Sequence, residues 1–218
     1  MTKLTKEDIE NLRTDYAKHT LSEKDIQANP FEQFDIWFHE AVKADVMEPN
    51  AMTLATATKD GIPSARVVLL KGYDPKGFSF YTNYLSRKGK EIAKNPHAAL
   101  VFFWPELHRQ VRIEGKLKKL SKEESEAYFN TRPFESRIGA ISSPQSQVIP
   151  NRESLEVIFK NMDEKYKNKH VPKPAHWGGY ILEPVSIEFW QGRPSRLHDR
   201  MKYALMEKGK WKIERLAP

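Results

Sequence analysis

The chain contains no cysteine. Disulfides, thiolate nucleophiles, iron–sulfur clusters and cysteine-based zinc sites are therefore excluded, and a reducing cytoplasm is the expected compartment. Long apolar runs are also missing. The longest, 98–104, falls far short of the roughly 20 residues that cross a bilayer, so no membrane partner is expected. The opening residues Met1–Asp8 are polar and lack the apolar core of an export signal. No G-x-G-x-x-G or Walker-type phosphate loop occurs, which leaves a dinucleotide-binding or nucleotide-hydrolysing reading without support. No H-E-x-x-H occurs, and His19, His39, His97, His108, His170, His176 and His198 show no metal-ligand spacing, so no metal is expected. A G-x-S-x-G nucleophile elbow is absent as well. So are internal repeats, low-complexity tracts and a dividing Pro/Gly/Ser linker.

What is present is an ordinary globular composition: 218 residues, 39% hydrophobic and 30% charged. Lys and Arg exceed Asp and Glu by 36 to 29, a formal charge of +7. Such an excess fits either solubility or an anionic partner, and the positions of the cations decide between them.

Ile9, Leu12 and Tyr16 behind a Thr5 cap predict a helix over 5–18. Phe31, Phe34, Trp37, Phe38, Ala41 and Val42 predict a second over 31–43. The period then changes. Segments 51–58, 64–71, 78–83, 98–104 and 109–120 read as strands, with turns at Lys59-Asp60-Gly61 and Asp74-Pro75-Lys76-Gly77. A short helix is expected over 86–94. A capping box at Ser121–Glu124 opens another, and Leu155, Ile158, Phe159 and Met162 mark a longer one over 151–167. Strands return at 178–182, 186–191, 196–205 and 210–216. Short strands joined by tight turns imply an antiparallel sheet closing into a barrel. The fold class is therefore α+β, with a β-barrel core and peripheral helices, in one domain over 1–218.

Four groups of residues carry chemistry. On a strand, Arg196, His198 and Arg200 share one face while Leu197 and Asp199 take the other. Two guanidiniums flanking an imidazole suit an anion; a solvated face with Asp199 as local partner is the alternative. Ser86-Arg87-Lys88 places a hydroxyl and two cations at a helix start, a plausible phosphate site. Arg66 and Lys71 lie five apart, on opposite faces of a regular strand, so either a bulge re-aims one or each serves a different ligand, and taken alone they read first as a strand with charged ends. Tyr128, Arg132 and Ser136 are spaced by four, but Pro133 makes one continuous helix doubtful.

Taken in order, these motifs resemble the pyridoxamine/pyridoxine 5′-phosphate oxidase family. The resemblance runs through Arg66–Lys71 (RVVLLK), Phe80–Asn83, Ser86–Lys88, Arg109–Val111, Tyr128-Phe129 with Arg132-Pro133, and Ile138–Ala140. It continues through Gln145-Ser146, Trp177–Gly179, Ile187–Trp190, Arg196–Arg200 (RLHDR) and the closing Arg215–Pro218, and covers the chain from about Leu12 onward. It implies a homodimer of split β-barrels with FMN at the subunit interface. It also implies oxidation of pyridoxamine or pyridoxine 5′-phosphate to pyridoxal 5′-phosphate by dioxygen, with hydrogen peroxide released, and ammonia from the amine. Matching residues imply cofactor contacts at Arg66, Val67, Val68, Leu69, Leu70, Lys71, Tyr81, Thr82, Arg87, Lys88, Gln110, Gln145, Ser146, Trp190 and Arg200. They imply substrate contacts at Arg13, Tyr16, Lys71, Tyr128, Arg132, Ser136, Arg196, Leu197 and His198, with Arg196 and His198 catalytic. Residues 1–20 are expected to form a mobile segment, part of which closes over the substrate. The flavin would carry the redox chemistry, leaving the protein to bind, orient and tune. Alternatives are another split-barrel flavoprotein, a pyridoxal phosphate carrier, or a basic nucleic-acid-binding module that would bind in a salt-dependent way.

Overall fold

A computed structural model describes residues 5–12, 16 and 19–218. In chain order the helices are α1 (Lys6–Glu10), α2 (Pro30–Lys43), α3 (Arg87–Lys94), α4 (Lys122–Thr131), α5 (Phe134–Ser142) and α6 (Arg152–Tyr166). The strands are β1 (Ala51–Ala57), β2 (Pro63–Leu69), β3 (Gly72–Asp74), β4 (Gly77–Asn83), β5 (His97–Trp104), β6 (Arg109–Lys119), β7 (Trp177–Gln191), β8 (Asp199–Leu205) and β9 (Trp211–Arg215). The chain packs as two compact units: 1–49 with 103–112 and 187–218, and 50–102 with 113–186. Among the described residues no helix is long and apolar enough to cross a membrane.

In the first unit, α1 opens on the Thr5–Asp8 capping box but stops at Glu10, short of the predicted 5–18 span. It buries no residue, and so short a helix without packing does not propagate. Tyr16 lies outside it. α2 starts at the Asn29 cap with Pro30 in its first turn. It buries Phe31, Phe34, Trp37 and Ala41, while Val42 stays exposed, so the apolar stripe is narrower than the spacing suggests. Trp37 meets Phe189 edge-on with centroids 5.2 Å apart, and Phe189 meets Tyr203 at 5.6 Å. The Arg109 guanidinium lies over Trp37 and pairs with Glu40, and its Nε donates to Gln191 Oε1 at 2.9 Å.

β8 pairs with β9 in antiparallel register from Met201–Arg215 to Leu205–Trp211. The strand predicted over 196–205 begins only at Asp199. Pro194–Arg196 form a tight turn in which Ser195 and Arg196 hold φ of 56° and 61°, a left-handed region incompatible with a strand. The alternation proposed for Arg196, His198 and Arg200 is therefore incorrect.

The second unit carries the strand path β2-β1-β5-β6-β7-β4-β3, to which β5, β6 and β7 contribute in part. β1 pairs antiparallel with β2 and β5, β3 with β4, and β4 with β7. The β3–β4 hairpin uses the predicted 74–77 turn, although β3 itself is too short to read from sequence. β7 runs unbroken for 15 residues where two strands are predicted. Pro184 in its middle costs one ladder donor, but its fixed φ is compatible with extended backbone. The Ser121–Glu124 capping box opens α4 as expected, and Asn151 caps α6. Phe159 and Met162 of α6 pack on the cluster of Phe129, Ile138, Val171 and Trp177, whereas Ile158, predicted on that face, is exposed.

Gly77 sits at φ 152°, and a Cβ there would lie 2.0 Å from the Leu182 carbonyl oxygen. Gly77→Ala is expected to destabilise the fold by about 1–3 kcal/mol, measurable as a lowered urea midpoint at unchanged m-value.

Candidate active site

α4 ends at Thr131 because Pro133 disfavours the helical conformation at Arg132, and α5 restarts at Phe134. Arg132 occupies the break with extended backbone, φ −72° and ψ 147°. The break still brings Tyr128, Arg132 and Ser136 to the wall of one cavity of about 480 Å³. That cavity is also lined by Val67, Val68, Leu69, Lys71, Tyr81, Thr82, Lys88 and Gln145, all expected from sequence. Asn83, Gly139, Ala140 and Trp177 complete it. Trp177 stacks with Tyr81 at 5.4 Å and Tyr81 with Tyr128 at 3.9 Å, so three near-parallel rings line the cavity. These four belong to or adjoin motifs already noted, but nothing in their residue types alone marks them as lining a site.

The electrostatics of the cavity favour an anion. The Arg132 guanidinium lies over Trp177 at 4.8 Å, and its Nη1 is buried with no hydrogen-bond partner. Burial pushes its pKa below the usual arginine range. Lys88 is nearly buried; desolvation and then the nearby Arg66 charge lower its ammonium pKa, against the pull of Glu91. Lys88 Nζ and Thr82 Oγ1 both approach Gln145 Oε1, at 3.3 and 3.2 Å. Cations held this way are stabilised by a bound phosphate.

Behind the cavity stands a residue that the sequence reading passed over. Glu91 on α3 is buried and accepts from Thr56 Oγ1 at 2.5 Å, Ser64 Oγ at 2.6 Å and Arg87 Nε at 2.9 Å, with Arg66 Nη2 at 3.4 Å. Burial pushes its carboxyl up, but those hydrogen bonds and the Arg66 charge outweigh it and hold the pKa at about 2. Its signal was an acid four residues after Arg87 in an otherwise basic helix. Arg66 is thus an internal partner of Glu91, Thr56 and Ser64 and does not line the cavity. Lys71 lies past the end of β2, so the five-residue spacing needs no bulge. Leu70 is packed in the core. Arg87 and Ser146 line a separate cavity with Lys59, Lys90 and Lys94.

The other expected residues lie in the first unit. The His198 ring meets Trp190 at 4.6 Å and Tyr16 at 5.7 Å, and Tyr16 meets His108 at 4.7 Å. Gly192 permits this approach, since a Cβ there would lie 2.8 Å from Tyr16 Cγ. The Arg193 backbone N–H donates to His198 Nδ1 at 3.0 Å, so a neutral His198 carries its proton on Nε2. Burial, then the Arg196 charge, lower the His198 pKa against the opposing Asp199 charge, which favours the neutral ring. His198 and Leu197 line a cavity of about 390 Å³ with Asp199 and Arg215–Pro218. Arg196 is exposed on its turn. Arg200 is committed to Glu188, Nε to Oε1 at 2.8 Å, and to the Ala217 carbonyl. Gln110 faces away from the core side of β6, opposite Arg109 and Val111. Arg13 lies outside the described residues.

This architecture has relatives. A family model described as pyridoxamine 5′-phosphate oxidase matches residues 38–166. A second, described as the pyridoxine 5′-phosphate oxidase C-terminal dimerisation region, matches 177–218. A pyridoxine/pyridoxamine 5′-phosphate oxidase of Trichormus variabilis is 55% identical over 210 residues, 96% of this chain and 98% of that one. One of Burkholderia mallei is 56% identical over 213 residues, 96% and 99% of the two chains. Among solved structures, PhzG of Burkholderia lata in complex with tetrahydrophenazine-1-carboxylic acid superposes with a TM-score of 0.87. It is 31% identical and covers 93% of this chain and 100% of its own. A pyridoxamine 5′-phosphate oxidase-related, FMN-binding protein of Nostoc punctiforme superposes at 0.69 with 17% identity, covering 88% and 100%, and shares the fold alone. The α+β split-barrel class expected from the sequence is the one observed. The chain belongs to the pyridoxamine 5′-phosphate oxidase family.

Glu91 titrates below its ordinary value of 4.5, so its stabilisation is complete above about pH 4.5 and is lost as pH falls toward 2. In urea unfolding, the stability gap between wild type and Glu91→Gln is expected to be about 1–3 kcal/mol at pH 7 and to shrink steadily between pH 4.5 and 2.

Proposed function

We propose that the chain, acting as one module over 1–218, is an FMN-dependent oxidase. It would convert pyridoxine or pyridoxamine 5′-phosphate to pyridoxal 5′-phosphate with dioxygen as acceptor, in the cytoplasm and as a homodimer. The observation that carries this reading is the buried, partnerless Nη1 of Arg132 in a cavity shared with Lys71, Tyr128 and Ser136. A fixed guanidinium beside an ammonium and two hydroxyls is a donor set for a phosphate dianion. The apolar strand Val67–Leu69 and the Tyr81 ring on the same cavity suit a planar ring system. Family membership and the C-terminal dimerisation region support the same reading.

Thr82, Lys88 and Gln145 would hold FMN, with Arg66 and Arg87 fixed around Glu91. When bound, FMN supplies the hydride acceptor and, through dioxygen, the route to hydrogen peroxide. The chain's own part is positional. Lys71, Tyr128, Arg132 and Ser136 take the substrate phosphate, and Arg196 and His198 act on the pyridine ring. His198 offers an Nε2–H donor, because the Arg193 N–H already occupies Nδ1. It therefore orients the substrate and does not accept a proton. With pyridoxamine 5′-phosphate, hydrolysis of the oxidised amine releases ammonia.

Purified protein is expected to be yellow, and anaerobic pyridoxine 5′-phosphate should bleach its flavin absorbance. An unbleached spectrum overturns the reading. Arg132→Ala should lower kcat/KM for pyridoxine 5′-phosphate on the order of 10²-fold, as losing a charged phosphate contact of about 3 kcal/mol predicts. Unphosphorylated pyridoxine should be nearly unaffected, and an equal loss on both counts against a phosphate role. His198→Asn should reduce turnover while leaving the acid limb of the pH–rate profile in place; loss of that limb would assign His198 as a base.

A further inference from the structure

The Arg215-Leu-Ala-Pro218 run stands out in the sequence, yet the chemistry above leaves Arg215 without a role. Its guanidinium makes four hydrogen bonds within the first unit. Nε and Nη2 grip the Glu23 carboxylate at 2.7 and 2.9 Å, a bidentate fork. Nη1 reaches Asp199 Oδ1 at 2.9 Å, and Nη2 also donates to the Leu21 carbonyl at 3.1 Å. Asp199 Oδ2 accepts the Leu21 N–H at 3.1 Å, so both backbone groups of Leu21 are held. Arg193 adds a bond from Nη1 to the His19 carbonyl at 3.1 Å and an ion pair to Asp199 at 3.5 Å. The stretch 19–23 is thus fastened at three residues to the residues flanking His198.

Three positions before His19 is Tyr16, whose ring lies against His108, Trp190 and His198. An isolated surface ion pair contributes little to a fold. A forked pair tied into a second carboxylate and two backbone groups is different, because each bond restricts groups the others have already ordered. The side chain of Leu21 is also buried, which makes it the apolar foot of the same attachment. Hydrogen bonding from Arg215 holds the Glu23 carboxyl at about 2, so the pair stays charged at every working pH.

We propose that Arg215 is a positioning residue: through Glu23, Asp199 and the backbone of Leu21 it latches the 19–23 segment so that Tyr16 stays against His198. The kinetic consequence rests on the oxidase reading; the latch does not.

The test pairs one structural and one kinetic measurement on the FMN-loaded protein. Hydrogen exchange of the Leu21 amide should be at least about tenfold faster in Arg215→Ala and in Glu23→Gln than in wild type. KM for pyridoxine 5′-phosphate should rise about fivefold with kcat within about twofold, since only positioning is lost. Arg215→Lys, which keeps the charge without the fork, should recover part of that loss. In a Tyr16→Ala background, Arg215→Ala should raise KM no further, because both act through one contact. Unchanged Leu21 exchange, or a KM effect fully additive with Tyr16→Ala, overturns the proposal. Glu23→Gln decides the matter if Arg215→Ala does not fold. If wild type fails to oxidise pyridoxine 5′-phosphate, the functional reading falls, and Leu21 exchange still judges the latch.

Discussion

Charge balance around one buried carboxylate sets the electrostatic surroundings of Lys88 at the edge of the Arg132 cavity. Glu91 holds Arg66 and Arg87 at once, with two hydroxyls completing its shell. Desolvating a carboxylate is costly, and four donors are what make the ionised form stable there. With Glu91 so occupied, Lys88 faces the cavity as a desolvated ammonium whose net neighbour is Arg66. Arg132 adds a guanidinium nitrogen that no protein group satisfies. The fold therefore gathers uncompensated positive charge at a defined place.

Much of this was legible before any coordinates. The cap at Ser121, the 74–77 hairpin and the Pro133 break rest on local chemistry, and local chemistry is what a single sequence displays. The cavity residues Lys71, Tyr128, Arg132 and Ser136 came from spacing and resemblance together. Failures trace to features without a local signature. Left-handed φ at Ser195 and Arg196 turned an apparent strand into a turn, and neither residue type advertises that conformation. Glu91 and Gly192 matter through residues distant in sequence, Ser64 and Tyr16, which no periodicity connects. The pairing of Arg200 with Glu188, which sits on another strand, likewise has no local signal beside His198.

The likeness to PhzG sharpens what the fold can and cannot decide. A TM-score of 0.87 spans nearly the whole chain, yet that relative is solved with a tricyclic carboxylic acid that has no phosphate. Likeness of fold alone therefore does not name a ligand, and the side chains lining the cavity must be read for themselves. Within this chain, His198 is oriented by a backbone N–H, whereas Lys71, Lys88 and Arg132 line the cavity beside the α4–α5 break.

The elbow at Arg132–Pro133 divides one wall of the cavity into two arms. Tyr128 belongs to the arm before the bend and Ser136 to the arm after it, with Arg132 at the corner. On one straight helix, a change in either hydroxyl's position would drag the other along the shared axis. Across a rigid corner, each arm can be lengthened, rotated or resurfaced while the guanidinium stays put. Selection on such a lineage could retune the outline of the ligand one wall at a time without losing its charged anchor.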